Sequence, residues 1–180
     1  MKQIYSTLTA GALIVCAASA QSHVVLQDPA AAPGTTYRAA LQIGHGCEGS
    51  PTTGVRVLIP EGFQATKPMP KPGWTVVAKV AKLAKPFTLH GRTISEDVVE
   101  VSWSANSKDS ALPDAFFDEF VLRGTTPHQA GPLWFKVLQT CEKGQIDWAQ
   151  TPAHGSFSKG LESPAALLEV IGAASEGHGH

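Results

Sequence analysis

The chemistry available to this chain gathers around histidine. His23 follows Ser22, and a cut between them would make it the first residue of the processed chain. There its α-amine and imidazole Nδ1 close a six-membered chelate ring on one metal ion. An α-amine has an ordinary pKa near 8, so freeing it at neutral pH costs only about 1 kcal/mol. Nitrogen donors in a tetragonal arrangement suit Cu(II). A cut after Ala20 would instead leave Gln21-Ser22-His23 at the terminus. An amine, two amides and an imidazole in that order chelate Cu(II) in a square plane with no help from the fold, unless Gln21 cyclises and removes the amine. The plain alternative is that His23 is a polar residue at a frayed end.

The other candidate ligands are weaker. His45 stands two residues before Cys47, a pairing that suits soft Cu(I) if the thiol is free. If Cys47 is bridged, His45 reads as a turn residue. His90, His128 and His154 adjoin Gly91, Pro127 and Gly155 and read as surface residues, while His178 and His180 end the chain as a tail that either collects Cu or Ni weakly or is simply solvated. Of the three cysteines, Cys16 lies in the leader and departs with it. Cys47 and Cys141 remain, and an even pair in an exported domain forms a disulfide. That bridge stabilises by about 4 kcal/mol in the chain-entropy model, given Cα atoms within about 7 Å.

The elements that must position these groups follow from pattern and composition. Residues 1–22 read as a secretory signal: Lys2 supplies the positive start, Leu8 to Ala18 the apolar core, and Ala18-Ser19-Ala20-Gln21-Ser22 the small and polar cleavage region. The apolar core is far shorter than the roughly 20 residues needed to span a bilayer, and Val15 before Cys16 is too bulky for a lipoprotein box. A periplasmic protein with no membrane anchor is expected. With 17 glycines and 13 prolines, long helices are disfavoured. Alternating or β-branched runs at 35–43, 54–59, 74–83, 97–102, 117–122 and 133–140 predict an all-β chain, an antiparallel β-sandwich of immunoglobulin-like or cupredoxin-like type. The proline-rich stretch 67–73 reads as an inter-strand loop. Ser163-Pro164 before an apolar run predicts a short C-terminal helix over 165–171. The organisation is therefore a leader over 1–22, a sandwich over 23–160, and a helix with a His-containing tail over 161–180.

Several blocks together carry a family resemblance. His23-Val24-Val25-Leu26-Gln27-Asp28-Pro29, Gly44-His45-Gly46-Cys47-Glu48-Gly49-Ser50-Pro51-Thr52, Ile59-Pro60-Glu61-Gly62, Lys71-Pro72-Gly73-Trp74 and Phe117-Asp118-Glu119-Phe120 resemble the YcnI-type copper-binding domain over roughly His23 to Trp148. The resemblance implies a β-sandwich that holds one Cu(II) per chain in a single-histidine brace. It maps the amine and imidazole onto His23, a carboxylate ligand onto Glu119 and a tryptophan beside the ion onto Trp148. It also implies copper-trafficking proteins as partners. A carboxylate would partly neutralise the ion, and an indole would shield it from water. Asp118, one residue away on a strand, points to the opposite face. Many relatives carry a C-terminal membrane helix, which this chain lacks.

Other functions fit less well. With 14 basic against 15 acidic residues there is no excess charge for nucleic acid. The chain shows no Gly-x-Ser-x-Gly elbow, no His-Glu-x-x-His pair, no phosphate loop and no dinucleotide fingerprint. A copper monooxygenase would want a second histidine on the metal and a flat aromatic face. A non-metal immunoglobulin-like adhesion or assembly module would make every histidine incidental. The expectation is a non-enzymatic periplasmic copper protein for storage or delivery of Cu(II).

Overall fold

The architecture follows from period-two burial. In the computed structural model, which describes residues 23–172, eleven strands occur in chain order: β1 Val25–Leu26, β2 Ala30–Ala31, β3 Thr36–Ile43, β4 Thr52–Leu58, β5 Gln64–Pro68, β6 Trp74–Leu89, β7 Arg92–Ala105, β8 Asp118–Thr125, β9 Gly131–Cys141, β10 Gln145–Trp148 and β11 Ala166–Val170. Along β9 the residues alternate, with Leu133, Phe135, Val137, Gln139 and Cys141 buried and Pro132, Lys136 and Thr140 exposed. One face is thus dry and the other wet. The same phase runs through β8, where Phe120 and Leu122 are fully buried.

Two sheets stack through those inner faces. One has the order β1-β3-β8-β5, and the other β2-β11-β9-β4-β7-β6, with β10 pairing β9 off that path. Leu41, Phe120 and Leu122 from the first meet Val57, Val101, Trp103, Phe135 and Val137 from the second in one core. This is an immunoglobulin-like β-sandwich. Among the described residues no helix is long and apolar enough to cross a membrane. The expected leader over 1–22, with Cys16, and the tail histidines His178 and His180 lie outside the described residues.

The expected C-terminal helix is instead β11. Ala166, Leu168 and Val170 are buried while Leu167 and Glu169 are half-buried, a period of two rather than 3.6. β11 pairs antiparallel with β9 and parallel with β2, covering an edge that would otherwise leave backbone groups unpaired. The Ser-Pro start signal is local, and sheet completion overrides it. The proline-rich stretch is also partly strand, because β5 takes in Lys67 and Pro68 beside β8. Pro68 is tolerable there because β5 is the edge strand of its sheet.

Candidate functional site

At the end of the sandwich where β3 and β9 finish and β4 begins, a polar side chain occupies a core position. Gln139 continues the inward series of β9 and is 1% exposed. A buried amide must find partners, and each of its atoms does. Its Nε2 donates to the His45 carbonyl at 2.7 Å and to Thr52 Oγ1 at 2.8 Å, and its Oε1 accepts from Trp148 Nε1 at 2.9 Å. One side chain thereby joins the loop 44–50, the start of β4 and the end of β10. The disulfide Cys47–Cys141 adds a covalent tie between that loop and β9, with Cα atoms 5.9 Å apart. The Gly46 N–H donates to Asp114 Oδ1 at 2.9 Å. A Cβ at Gly46 would stand 1.9 Å from the Ser50 carbonyl oxygen, so only glycine lets the loop close. Glu48, at the exposed tip, takes a φ of 50°, an uncommon conformation for a residue with a side chain.

Trp148 is the floor of this region. It is buried, and two histidines pack edge-on against its indole, His23 with ring centroids 5.8 Å apart and His45 at 6.2 Å. The buried Val24 fixes the chain just after His23, and Val25 and Leu26 pair with Gln42 and Leu41 of β3. The structure therefore brings together His23 and Trp148, and it adds His45, which the spacing alone assigns to a turn. His45 Nδ1 lies 2.5 Å from the Gly46 carbonyl oxygen, while its Nε2 is buried with no hydrogen-bond partner among the described residues.

Glu119 sits elsewhere on the same sheet. It pairs in register with Gln42, which pairs in turn with Val25, so it is two strands away from the N-terminal strand. Its carboxylate accepts from Arg38 Nη2 at 3.1 Å and from Gln42 Nε2 at 3.4 Å. With Met69, Lys71 and Phe117 it lines a shallow depression of about 380 Å³. Asp118 forms an ion pair with Lys71. Among the described residues no group of three or more His, Cys, Asp or Glu side chains is arranged to hold a metal.

The residue that spacing missed is Gln139. Gln139 had a readable signal, a polar residue in the buried phase of an otherwise apolar strand. His45 had a signal only in its spacing to Cys47, whose thiol the disulfide takes up, and its place beside Trp148 is a tertiary property.

Comparison with known proteins fits this picture. The model of a domain of unknown function, DUF1775, matches residues 23–170. The chain belongs to the DUF1775 family. YcnI-type proteins carry this domain. The match begins at His23 and ends with β11, so this DUF1775 unit comprises the whole sandwich. An uncharacterized protein from Nocardia farcinica with an immunoglobulin-like fold is similar at a TM-score of 0.63 and 22% identity, over 83% of this chain and 98% of that one. The seventh ScaB type I cohesin from Pseudobacteroides cellulosolvens has a TM-score of 0.42 and 10% identity, over 88% of this chain and 97% of that one. No curated protein matches the chain.

Proposed function

We propose that this DUF1775 protein is an exported, non-enzymatic copper-binding protein that holds one Cu(II) at its processed N-terminus. The observation that carries the reading is the packing of the His23 ring against the buried Trp148. It seats the first residue of the domain on an indole able to keep water from one side of an ion. The donor chemistry fits: the imidazole and α-amine of His23 supply two nitrogens once the chain is cut after Ser22, and tetragonal nitrogen sites favour Cu(II). The buried His45 Nε2 in the same region, without a partner among the described residues, is a polar atom that a cation would satisfy. Glu119 is the carboxylate that the family resemblance implies, and Glu48 is the exposed carboxylate on the loop that carries His45.

Reduction to Cu(I), which prefers softer ligands, would weaken the hold and allow transfer to a thioether- or thiolate-bearing partner in the periplasm. Copper thus enters as cargo. The test is a Cu(II) titration of protein recovered from the periplasm, with its first residue read from the intact mass. A chain beginning at His23 that binds one Cu(II), with affinity lost in His23→Ala, supports the reading. A chain beginning at a cyclised Gln21, or undiminished affinity in His23→Ala, overturns the brace. Copper retained without His23 points to the other histidines, the tail pair His178 and His180 included, and no copper at all points to the immunoglobulin-like module without a metal. Parallel Glu119→Gln and Glu48→Gln variants show which carboxylate the ion uses.

A further inference from the structure

We infer that His45 is a second imidazole ligand of this site, binding the metal through Nε2. The inference rests on the copper reading for the identity of the metal, but its evidence is separate. The carbonyl oxygen of Gly46 can only accept a hydrogen bond, so its contact with His45 Nδ1 requires the proton to be on Nδ1. That tautomer leaves the lone pair on Nε2. The same Nε2 is buried and has no partner among the described residues. A backbone carbonyl on one ring nitrogen and an open lone pair on the other is how metal-binding histidines are commonly held.

The backbone around the ring is fixed as well. Gln139 holds the His45 carbonyl, the Cys47–Cys141 bridge anchors the loop two residues on, and Trp148 backs the ring on one side. His23 packs against that same indole. Two imidazoles from sequence positions 22 residues apart are thus gathered at one buried ring, and neither needs a carboxylate to bring it there. An ordered water would be the other way to satisfy a buried ring nitrogen, and the two occupants predict different spectra.

The experiment is Cu(II) titration of the periplasmic protein with pulsed electron paramagnetic resonance to count the imidazoles on the ion, using wild type, His45→Phe and His23→Ala. Phenylalanine keeps a ring against Trp148 and removes the lone pair. Two imidazoles in the wild type, one in His45→Phe, and an affinity loss of at least about tenfold in that variant are expected. One imidazole in the wild type overturns the proposal even if His45→Phe fails to fold. Affinity and spectrum unchanged in His45→Phe but lost in His23→Ala overturn it while leaving the copper reading intact. Loss in His45→Phe with none in His23→Ala supports His45 as a ligand and overturns the brace instead.

Discussion

The two ends of the sandwich are built on different terms. At one end the loop 44–50, the start of β4 and the end of β10 are joined by a disulfide and by a buried glutamine with three hydrogen bonds. At the other, the turn after β4, the β8–β9 connection and the long β6–β7 ribbon surround a larger groove of about 610 Å³. An ion pair there, Lys85 with Glu61 at 3.0 Å, is largely exposed. Size and chemistry are thus separated. The larger hollow has no buried, unpartnered ligand atom among the described residues that line it, whereas His23, His45, the indole and the orphaned ring nitrogen stand at the tied end. Cross-linking concentrates where side chains must be held in one geometry, and a groove lined by turns needs no such fixing.

The sharpest way to break that contrast is to cut the covalent tie. Replacing both cysteines, Cys47→Ser with Cys141→Ser, opens a loop of 94 residues and is expected to destabilise by about 4–5 kcal/mol in chemical denaturation. A loss below about 1 kcal/mol would mean that the polar ties carry the region alone. Next in size is Gln139→Leu. It leaves the Trp148 indole N–H and the His45 carbonyl without their buried partner, for an expected loss of about 2–3 kcal/mol by the same measurement. Near-wild-type stability would show that solvent reaches those groups after all.

A smaller effect belongs to the far end, where Tyr37 packs against Phe63 and its hydroxyl donates to the Asp28 carbonyl. Burial, and secondarily the negative Asp28, push the Tyr37 phenol up from about 10 to about 12. The folded state therefore keeps a proton that the unfolded chain releases. Its contribution is intact below pH 10 and is lost as pH rises through about 12. Thermal melts between those values should fall less steeply in Tyr37→Phe than in wild type. An equal slope in both would place the alkaline sensitivity in other groups. The smallest effect expected is Lys85→Ala, within about 0.5 kcal/mol. A larger loss would show the groove end to be tied in its own way.

How much of this could be read in advance depended on whether a residue's neighbours in sequence are also its neighbours in space. The run Val98 to Trp103 is legible as strand because one face of β7 is buried and the other half-wet there. The ribbon beyond Leu83 is not. Both faces of β6 are largely exposed, and bulges between Lys79 and Val80 and between Lys82 and Phe87 break the alternation. Four-residue β10 is too short to show a period, although it carries Trp148. The family resemblance supplied His23 with Trp148, and the structure places those two together. It also supplied Glu119, which the register sets two strands away in contact with Arg38. For β11, Ser163 and Pro164 point locally to a helix start, and pairing along the β9 edge overrides it.

The parallel pairing of Ala30–Ala31 with Glu169–Val170 sets an order in time. As the chain is made, Ala30 and Ala31 emerge well before the strand that clasps them. Contacts between such distant segments form late, because the intervening chain must first be gathered. Ala30 and Ala31 must therefore wait for β11, whereas Val25 and Leu26 need only the nearby β3 to pair. The Trp148 ring that receives His23 comes from β10 and also emerges late, so a cut that frees an amine at His23 would act before that seat is built. Processing first and docking afterwards is the sequence of events that this closure favours.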